Sequence, residues 1–340
     1  MKDLRSMTME ELQSLIASWG EKPFRAAQLF DWLHGKRVKS IAEMTNLPAA
    51  LRERLEKDAD LTTLRLHTCQ VSKDGTRKYL FVLPDGERVE SVYMPHDYGK
   101  SVCVSSQVGC RMGCRFCAST MDGLARNLSG GEMLEQIYRI EADTGEKIDR
   151  VVVMGMGEPL DNLENLLAFI RLLSHPKGRN LSQRHITVST CGLVPQIREL
   201  AEEKLAITLA LSLHASSDET RRRIMPIARR YTIRETLAAC EEYFEKTGRR
   251  VSYEYALAGG ENDREEDALA LAGLLKGKKA HVNLIPVNPV SGRDYAPSEG
   301  DTVLHFQKIL EKNGINATIR RKMGADIEGA CGQLRRRLAE

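Results

Sequence analysis

Hydrophobic positions follow one regular pattern over most of the chain, from residue 101 onward. Short apolar runs typical of buried strands are separated by segments whose apolar residues recur at the three-to-four-residue spacing of an amphipathic helix. Such alternation predicts parallel strands joined by crossover helices. The strand-like runs are residues 101–106, 150–154, 185–190, 206–214, 251–257, 281–287 and 317–321, and the helical segments lie near residues 132–141, 160–173, 193–202, 233–244, 265–275 and 303–312.

About six such units in series can curl into a full or partial barrel, whose functional groups lie at the carboxyl ends of the strands. We therefore predict an α/β fold with a partial (β/α)6-type barrel over residues 101–322. The chemically distinctive residues support this prediction, because they follow or end the predicted strands. They are a cysteine-rich loop, a glycine-rich turn at residues 155–157, Ser189, the segment 212–214 and Asn288.

A small helical domain is predicted ahead of the barrel, over residues 1–60. Thr8 and Glu11 have the spacing of a capping box, and Pro23 stands near the start of a second apolar stripe. The basic residues of this segment are offset by nearby acidic ones, so composition leaves RNA binding open.

Residues 61–100 are predicted to form a linker and a β-hairpin extension. Two strand-like runs, 78–83 and 87–94, flank the turn sequence Pro84-Asp85-Gly86. The remaining residues, 323–340, are predicted to form a C-terminal loop and tail.

Composition and charge narrow the class of protein. The 340 residues are 42% hydrophobic and 29% charged, an ordinary balance for a globular chain. The net charge of +3 is too small to indicate nucleic-acid binding by itself, so an RNA contact must come from local clusters. Two candidates are residues 320–322 and 335–337, although such runs are often only solvated faces.

The expected location is the cytoplasm. No secretory pattern opens the chain, and no run of about 18 apolar residues suggests a membrane span. In a reducing compartment the eight cysteines are expected to be ligands, catalysts or core residues rather than disulfides.

Three cysteines form the most specific motif of the chain. Cys110, Cys114 and Cys117 are separated by three and then two residues. This spacing suits a [4Fe-4S] cluster held by three thiolates, whose fourth iron stays open to chelate a small molecule and pass it an electron. A zinc site or structural thiols are alternatives, but zinc sites more often pair two C-x2-C motifs or add histidines.

This motif resembles the cluster motif of radical S-adenosylmethionine (SAM) enzymes, and its surroundings resemble the RlmN family. That family methylates C2 of adenine in RNA. The resemblance spans nearly the whole chain and rests on Cys103-Val-Ser-Ser-Gln-Val-Gly-Cys110, Gly155-Met-Gly-Glu158-Pro-Leu160, Val188-Ser-Thr-Cys-Gly192, Ser212-Leu-His214 and Ala330-Cys331-Gly-Gln333.

The resemblance implies which residues contact SAM. Taken alone, the glycine-rich turn is consistent with a plain strand-to-helix connection, and a histidine at position 214 with a half-buried structural side chain. The positions that match the family's SAM contacts are Gly157, Glu158, Ser189, Ser212, Leu213, His214 and Asn288.

Three further residues receive chemical roles from the resemblance. Cys331 becomes the methyl carrier, Cys103 the thiol that resolves the intermediate, and Glu90 a proton acceptor. Without the resemblance, we would predict that Cys331 is a buried or inert cysteine and that Glu90 is an exposed residue of an alternating strand.

Cofactors and partners are likewise implied by the resemblance. They are one [4Fe-4S] cluster per chain, two SAM molecules consumed per methylation, 23S rRNA, tRNA, an electron donor such as flavodoxin or ferredoxin, and an accessory RNA-contacting role for residues 1–60. A monomer is expected, without membrane association. The alternatives are an enzyme of the same layout that methylates adenine C8, in which alanine tends to replace Pro159, and a non-catalytic iron-sulfur protein that binds RNA or relays electrons.

Overall fold

The computed structural model describes residues 2–327, 329 and 333. Its strands are β1 (Lys2–Asp3), β2 (Ala59–Asp60), β3 (Arg65–Val71), β4 (Arg77–Val82), β5 (Arg88–His96), β6 (Gly99–Cys103), β7 (Gln107–Gly109), β8 (Leu124–Asn127), β9 (Arg150–Val153), β10 (Ile186–Thr190), β11 (Thr208–Ser212), β12 (Val251–Leu257), β13 (His281–Pro286) and β14 (Asn316–Ile319). Its α-helices are α1 (Met9–Ser18), α2 (Phe24–Phe30), α3 (Ala49–Asp58), α4 (Gly130–Thr144), α5 (Leu163–Ser174), α6 (Val194–Glu202), α7 (Asp218–Ile224), α8 (Ile233–Thr247), α9 (Glu265–Leu275) and α10 (Gly300–Lys312).

One large sheet organises the molecule. Its strand order is β14-β13-β12-β11-β10-β9-β6-β5-β4-β3, and every pair from β14 to β6 is parallel. The order ends at β3 and β14 without a closing pair among the described strands, so the barrel is partial. The predicted parallel strands and crossover helices are confirmed, because α4 to α10 lie between successive parallel strands.

The predicted hairpin is part of this sheet. β4 and β5 pair antiparallel, and β5 in turn pairs antiparallel with β6, so the hairpin extends the barrel sheet directly. Both strands are largely buried along their length. The interpretation of Glu90 as an exposed alternation partner is therefore wrong: its side chain is 2% exposed, because both faces of β5 are covered.

The pattern did not predict the short strands β1, β2, β7 and β8, nor the longer strand β3 and the helix α7. The edge strand β3 is mostly exposed, so it carries no apolar alternation that would mark it as a strand. The seven-residue α7 lies in the connection between β11 and β12, where the Ser217 hydroxyl accepts the N–H of Thr220 as a cap. The sequences of β3 and α7 therefore carry little periodicity, and these elements form because of the parts of the chain that they contact.

The N-terminal helices pack on α4 through buried polar contacts. Arg5, fully buried, donates to Glu135 Oε1 at 2.6 Å and to the Val38 carbonyl at 2.6 Å. Arg37 donates to Glu141 at 2.7 Å, across the same junction. In the described part of the chain no helix is long and apolar enough to cross a membrane.

Candidate active site at the carboxyl ends of the strands

The three-cysteine loop begins directly after β7. Gly109 has a φ of +78°, and a Cβ there would lie 1.9 Å from the carbonyl oxygen of Gly123, so this position requires glycine. The next residue, Cys110, donates its N–H to the same Gly123 oxygen at 2.9 Å. The loop therefore starts from a close backbone contact between the β7 and β8 regions.

Polar contacts hold the rest of the loop in place. The Thr120 hydroxyl lies 3.1 Å from the carbonyl oxygen of Cys114 and 3.0 Å from that of Cys117. Arg293 donates to the Cys117 carbonyl at 3.2 Å, and the N–H of Arg115 donates to the Ile224 carbonyl of α7 at 2.9 Å. Two distant parts of the chain thus support the loop from outside.

The three thiols border one cavity of about 160 Å³. Burial raises the pKa of all three, that of Cys110 to about 12 and that of Cys114 well above its ordinary value, since a thiolate loses its hydration there. A bound iron centre would supply the positive charge that stabilises such thiolates. The residues therefore fit a cluster.

A single metal ion fits less well. Among residues 2–327, 329 and 333, no three His, Cys, Asp or Glu side chains converge closely enough to hold one ion. Ligands of one zinc ion must all lie about 2.3 Å from it, whereas a cube presents a separate iron to each thiolate. No disulfide joins two of the described cysteines.

The glycine-rich turn after β9 packs against the end of β6. A Cβ on Gly155 would lie 2.7 Å from the Val104 carbonyl oxygen, and one on Gly157, whose φ is +102°, would lie 2.6 Å from Gln107 Cβ. Both glycines are thus required for this approach of the backbone. The turn places Glu158 at the wall of the cavity.

Glu158 is 4% exposed, and both of its carboxylate oxygens accept backbone N–H groups. Oε2 accepts from Cys191 at 2.8 Å and Oε1 from Leu160 at 3.1 Å. Burial nevertheless raises the pKa of this carboxyl, because the two hydrogen bonds only partly replace water. The carboxylate has lone pairs left for a ligand that enters the cavity.

Two serines and a histidine border the same cavity. The hydroxyls of Ser189, at the end of β10, and Ser212, at the end of β11, lie 3.2 Å apart. His214 Nδ1 accepts the N–H of Ala256 at 2.9 Å, so the neutral ring carries its proton on Nε2. Burial, and then the nearby Arg221, lower the pKa of His214 to about 3.

The remaining predicted SAM contacts divide into two groups. Asn288 borders the cavity, as Cys117 does. Leu213 does not border it; its side chain is fully buried, and its carbonyl accepts Arg221 Nε at 3.0 Å.

Sequence reasoning missed Arg221, a fully buried side chain of α7. Its Nη2 donates to the Cys191 carbonyl at 2.7 Å and its Nε to the Leu213 carbonyl at 3.0 Å, so it links the residues that follow β10 and β11. No sequence signal marks it, because α7 carries three consecutive arginines, of which the other two are more exposed.

A second cavity of about 270 Å³ lies beside the first and shares Met154, Gly155 and Asn288 with it. Cys103, at the end of β6, borders this second cavity together with Val92 and Gly329. Gln333 donates its side-chain amide to the Pro289 carbonyl at 3.1 Å. Cys331 itself lies outside the described residues.

Glu90 lies on β5, between β4 and β6 in the sheet. Its carboxylate oxygen Oε1 is 3.4 Å from the ammonium of Lys78 on β4, and its carbonyl accepts the Ser105 hydroxyl at 2.6 Å. The structure thus places Cys110, Cys114, Cys117, Gly157, Glu158, Ser189, Ser212, His214 and Asn288 around one cavity and Cys103 at the adjoining one.

Comparisons with known proteins show the family to which this chain belongs. The Radical SAM superfamily model matches residues 104–272, and the model of the ribosomal RNA large subunit methyltransferase N-terminal domain matches residues 2–61. The chain is 55% identical over 335 residues to a probable dual-specificity RNA methyltransferase RlmN of Lachnoclostridium phytofermentans, covering 98% of this chain and 94% of the relative. The chain belongs to the RlmN family.

Further members of the RlmN family and a solved structure are similar over the same length. A probable dual-specificity RNA methyltransferase RlmN of Bacillus subtilis is 51% identical, over 97% of this chain and 92% of the relative. A crystal structure of a radical SAM methyltransferase from Sphaerobacter thermophilus superposes with a TM-score of 0.93 at 42% identity, covering 98% of this chain and 99% of that one. The protein is a SAM-dependent RNA methyltransferase with a radical mechanism.

Proposed function

We propose that this enzyme methylates C2 of an adenine in 23S rRNA, and of the adenine beside the anticodon in tRNAs, through a methylated Cys331. One observation carries the proposal: the cavity bordered by the three cluster cysteines adjoins the cavity bordered by Cys103. A radical generated in the first cavity needs only a short path to a carrier and a base in the second. The relatives named as dual-specificity RNA methyltransferases support two RNA substrates.

A [4Fe-4S] cluster on Cys110, Cys114 and Cys117 would supply the electron that converts SAM to the 5′-deoxyadenosyl radical. Around it, the Ser189 and Ser212 hydroxyls and the Nε2–H of His214 offer donors for the polar groups of SAM. Since the pKa of His214 is about 3, this ring stays a neutral donor throughout the physiological range. We assign the carboxylate of Glu158 and the side chain of Asn288 to the same ligand.

The target carbon explains why a carrier cysteine is needed. Adenine C2 is electron-poor and its hydrogen is not appreciably acidic, so it offers no lone pair to attack the methyl group of SAM. We assign the role of acceptor to Cys331, which takes a methyl group from one SAM as a thioether. Loss of a hydrogen atom from that methyl group to the radical derived from a second SAM leaves a carbon radical that adds to C2.

The bond between protein and RNA must then be resolved. The adduct loses the C2 proton to Glu90, and a bound iron-sulfur cluster would accept the surplus electron. The Cys103 thiolate attacks Cys331 Sγ, so an S–S bond forms while the S–CH2 bond breaks, and the released carbon takes a proton to become the methyl group. The disulfide is returned to two thiols by a two-electron reductant.

Partners follow from this scheme. An electron donor such as flavodoxin or ferredoxin would reduce the cluster, and residues 1–60 would provide an accessory RNA contact. We propose one cluster per chain, two SAM molecules consumed per methylation, and a monomeric enzyme.

The test is mass analysis of rRNA and tRNA digests from cells that lack the gene. We expect 2-methyladenosine to disappear from both RNAs and to return when the wild-type chain, but not Cys331→Ala, is supplied. Loss of 8-methyladenosine instead would assign the chain to the C8 chemistry and overturn the proposal. An unchanged digest would overturn adenine C2 of these two RNAs as the target.

A further inference from the structure

Lys78 is a buried ammonium with few partners. Its side chain is 4% exposed, and within the described part of the chain Nζ has no hydrogen-bond partner. The carboxylate of Glu90, 3.4 Å away, is the acidic group with which it forms an ion pair. Burying an ammonium without hydrogen bonds is costly, and an apolar side chain of similar length would avoid that cost.

The strand register places this pair on the face of the sheet that carries the reacting thiol. Lys78 is directly opposite Val92, and Val92 is directly opposite Cys103. Residues directly opposite each other across neighbouring strands point to the same face, as do residues two apart on one strand. Lys78, Glu90 and Cys103 therefore share one face, and Val92 and Cys103 border the second cavity.

A carboxyl group in such a place takes up a proton unless a positive charge opposes it. Glu90 is 2% exposed, so loss of hydration favours its neutral form. An ammonium at ion-pair distance favours the ionised form. On this face of the three strands, the described register rows carry five titratable side chains: Lys78, Arg88, Glu90, His96 and Cys103. Lys78 is the one that lies at ion-pair distance from Glu90 among the described residues.

We propose that Lys78 is a positioning residue that keeps Glu90 ionised and aimed as the proton acceptor of the methylation. This inference rests on the proposed function, in which Glu90 removes the C2 proton from the adduct. In that step the C2–H bond breaks and its electron pair stays on the base. An O–H bond forms on Glu90, and a bound iron-sulfur cluster would accept the surplus electron.

Loss of Lys78 therefore has a specific chemical consequence. Glu90 would already hold a proton before the base arrives, so the reaction would stop after the bond between Cys331 and adenine has formed. SAM cleavage and methylation of Cys331 precede that point and need no acceptor at Glu90. A misfolded enzyme would lose SAM cleavage, methylation of Cys331 and methylation of RNA together.

The experiment compares Lys78→Met, Lys78→Arg, Glu90→Gln and Lys78→Met/Glu90→Gln, each loaded with its cluster. Lys100→Met is the matched control. Lys100 lies on β6, and its Nζ forms a partly exposed ion pair with Glu146 Oε2 at 3.7 Å. Measured are methylated RNA, SAM cleavage, and the nuclease-sensitive covalent protein–RNA band on a denaturing gel.

We expect Lys78→Met and Glu90→Gln to lose product at least about 100-fold, as loss of a general base does, while they cleave SAM and accumulate the covalent band. Lys78→Arg should restore most of the product, and the double variant should resemble Glu90→Gln alone, since the two residues act as one unit. Lys100→Met should turn over like the wild type.

Two outcomes overturn the inference in distinguishable ways. If Glu90→Gln traps the adduct while Lys78→Met turns over normally, or is inactive without a band, Lys78 has no role in proton transfer. If Glu90→Gln itself turns over without trapping, the assignment of Glu90 in the proposed function fails first.

Discussion

Two cysteines outside the iron-binding loop carry the proposed chemistry, and each leaves a different mark when it is removed. Cys103 borders the cavity next to the cluster loop and is 7% exposed. Its neighbours Val92 and Val152 in the strand register hold it at the carboxyl end of β6. A fixed thiol at this place suits a resolving step that must meet the adduct in one geometry.

Replacement of Cys103 by Ala should trap the enzyme on its substrate, because the radical can still add to the base while no thiol releases the product. Protein expressed in cells should carry covalent RNA, visible as a nuclease-sensitive upward shift on a denaturing gel. Cys331→Ala and Cys103→Ala/Cys331→Ala should show no shift. Normal turnover by Cys103→Ala, or a cross-linked double variant, would contradict the two roles.

Replacement of Cys110, Cys114 or Cys117 by Ala should abolish SAM cleavage and weaken iron binding, because each thiolate holds a different iron of the cube. Iron content and 5′-deoxyadenosine formation measure both effects. Cys69→Ala is the control, since Cys69 lies on the edge strand β3, away from the cavity, and should change neither. A Cys114→Ala enzyme that still cleaves SAM would exclude the cluster assignment.

The elements next to the cluster loop determine its shape through backbone contacts. β7 and β8 form a separate two-stranded sheet whose register shifts between Val108 and Gly109. The shift brings the loop residue Cys110 against the Gly123 carbonyl, where it donates its N–H. The path of the loop thus depends on Gly109, which has no room for a Cβ, and on the carbonyl of Gly123, which accepts the Cys110 N–H.

Gly109→Ala should disrupt this path, since the new Cβ would lie 1.9 Å from a backbone oxygen that cannot move freely. Gly123→Ala is the matched control: its φ is +67°, but nothing lies within 4 Å of its Cβ. We expect Gly109→Ala to lose most of its iron and Gly123→Ala to retain it, at a cost of about 1–2 kcal/mol in unfolding free energy. Equal iron content in both variants would show that this contact does not support the loop.

The molecule as a whole joins its N-terminal helices to the barrel through a buried polar junction. Arg5 and Glu135 have side chains that are 0% and 1% exposed, and His34 Nδ1 lies 3.2 Å from the hydroxyl of Tyr138 on α4. Removal of one partner from such a pair costs more than the pair contributes, since the other charge stays buried. Unfolding of either part should therefore involve the other.

His34 should make this stability depend on pH. Burial, and then Arg5, lower its pKa from 6.5 to about 3, so the folded chain holds the neutral ring while the unfolded chain takes up a proton below about pH 6.5. Stability should fall as the pH falls, by about 2 kcal/mol for this residue between pH 7 and pH 5.

Urea unfolding of the wild type and of His34→Gln at both pH values measures this difference. The variant should be less stable at pH 7 but should lose about 2 kcal/mol less on acidification than the wild type. An unchanged pH dependence in His34→Gln would contradict a buried neutral His34.

Periodicity and residue spacing in the sequence were sufficient to predict the main architecture. Alternating apolar runs predicted the parallel strands, and turn residues predicted the hairpin, because both signals are local. Placement of distinctive residues after successive strands predicted their meeting, since parallel strands end at one edge. Nine of the predicted residues indeed border one cavity: Cys110, Cys114, Cys117, Gly157, Glu158, Ser189, Ser212, His214 and Asn288.

The sequence by itself therefore determined the order of elements, the barrel and the edge at which the site lies. Only the tertiary structure decided which polar groups are buried and which partners they have: Glu90 lies beside Lys78, and Arg221 donates to the Cys191 carbonyl. The physical reason is that periodicity reports which face of an element is apolar, whereas burial of a charge depends on strands and helices far away in the chain. A charged residue in a strand is predicted to be exposed, and only the tertiary structure shows that other elements cover both faces of that strand.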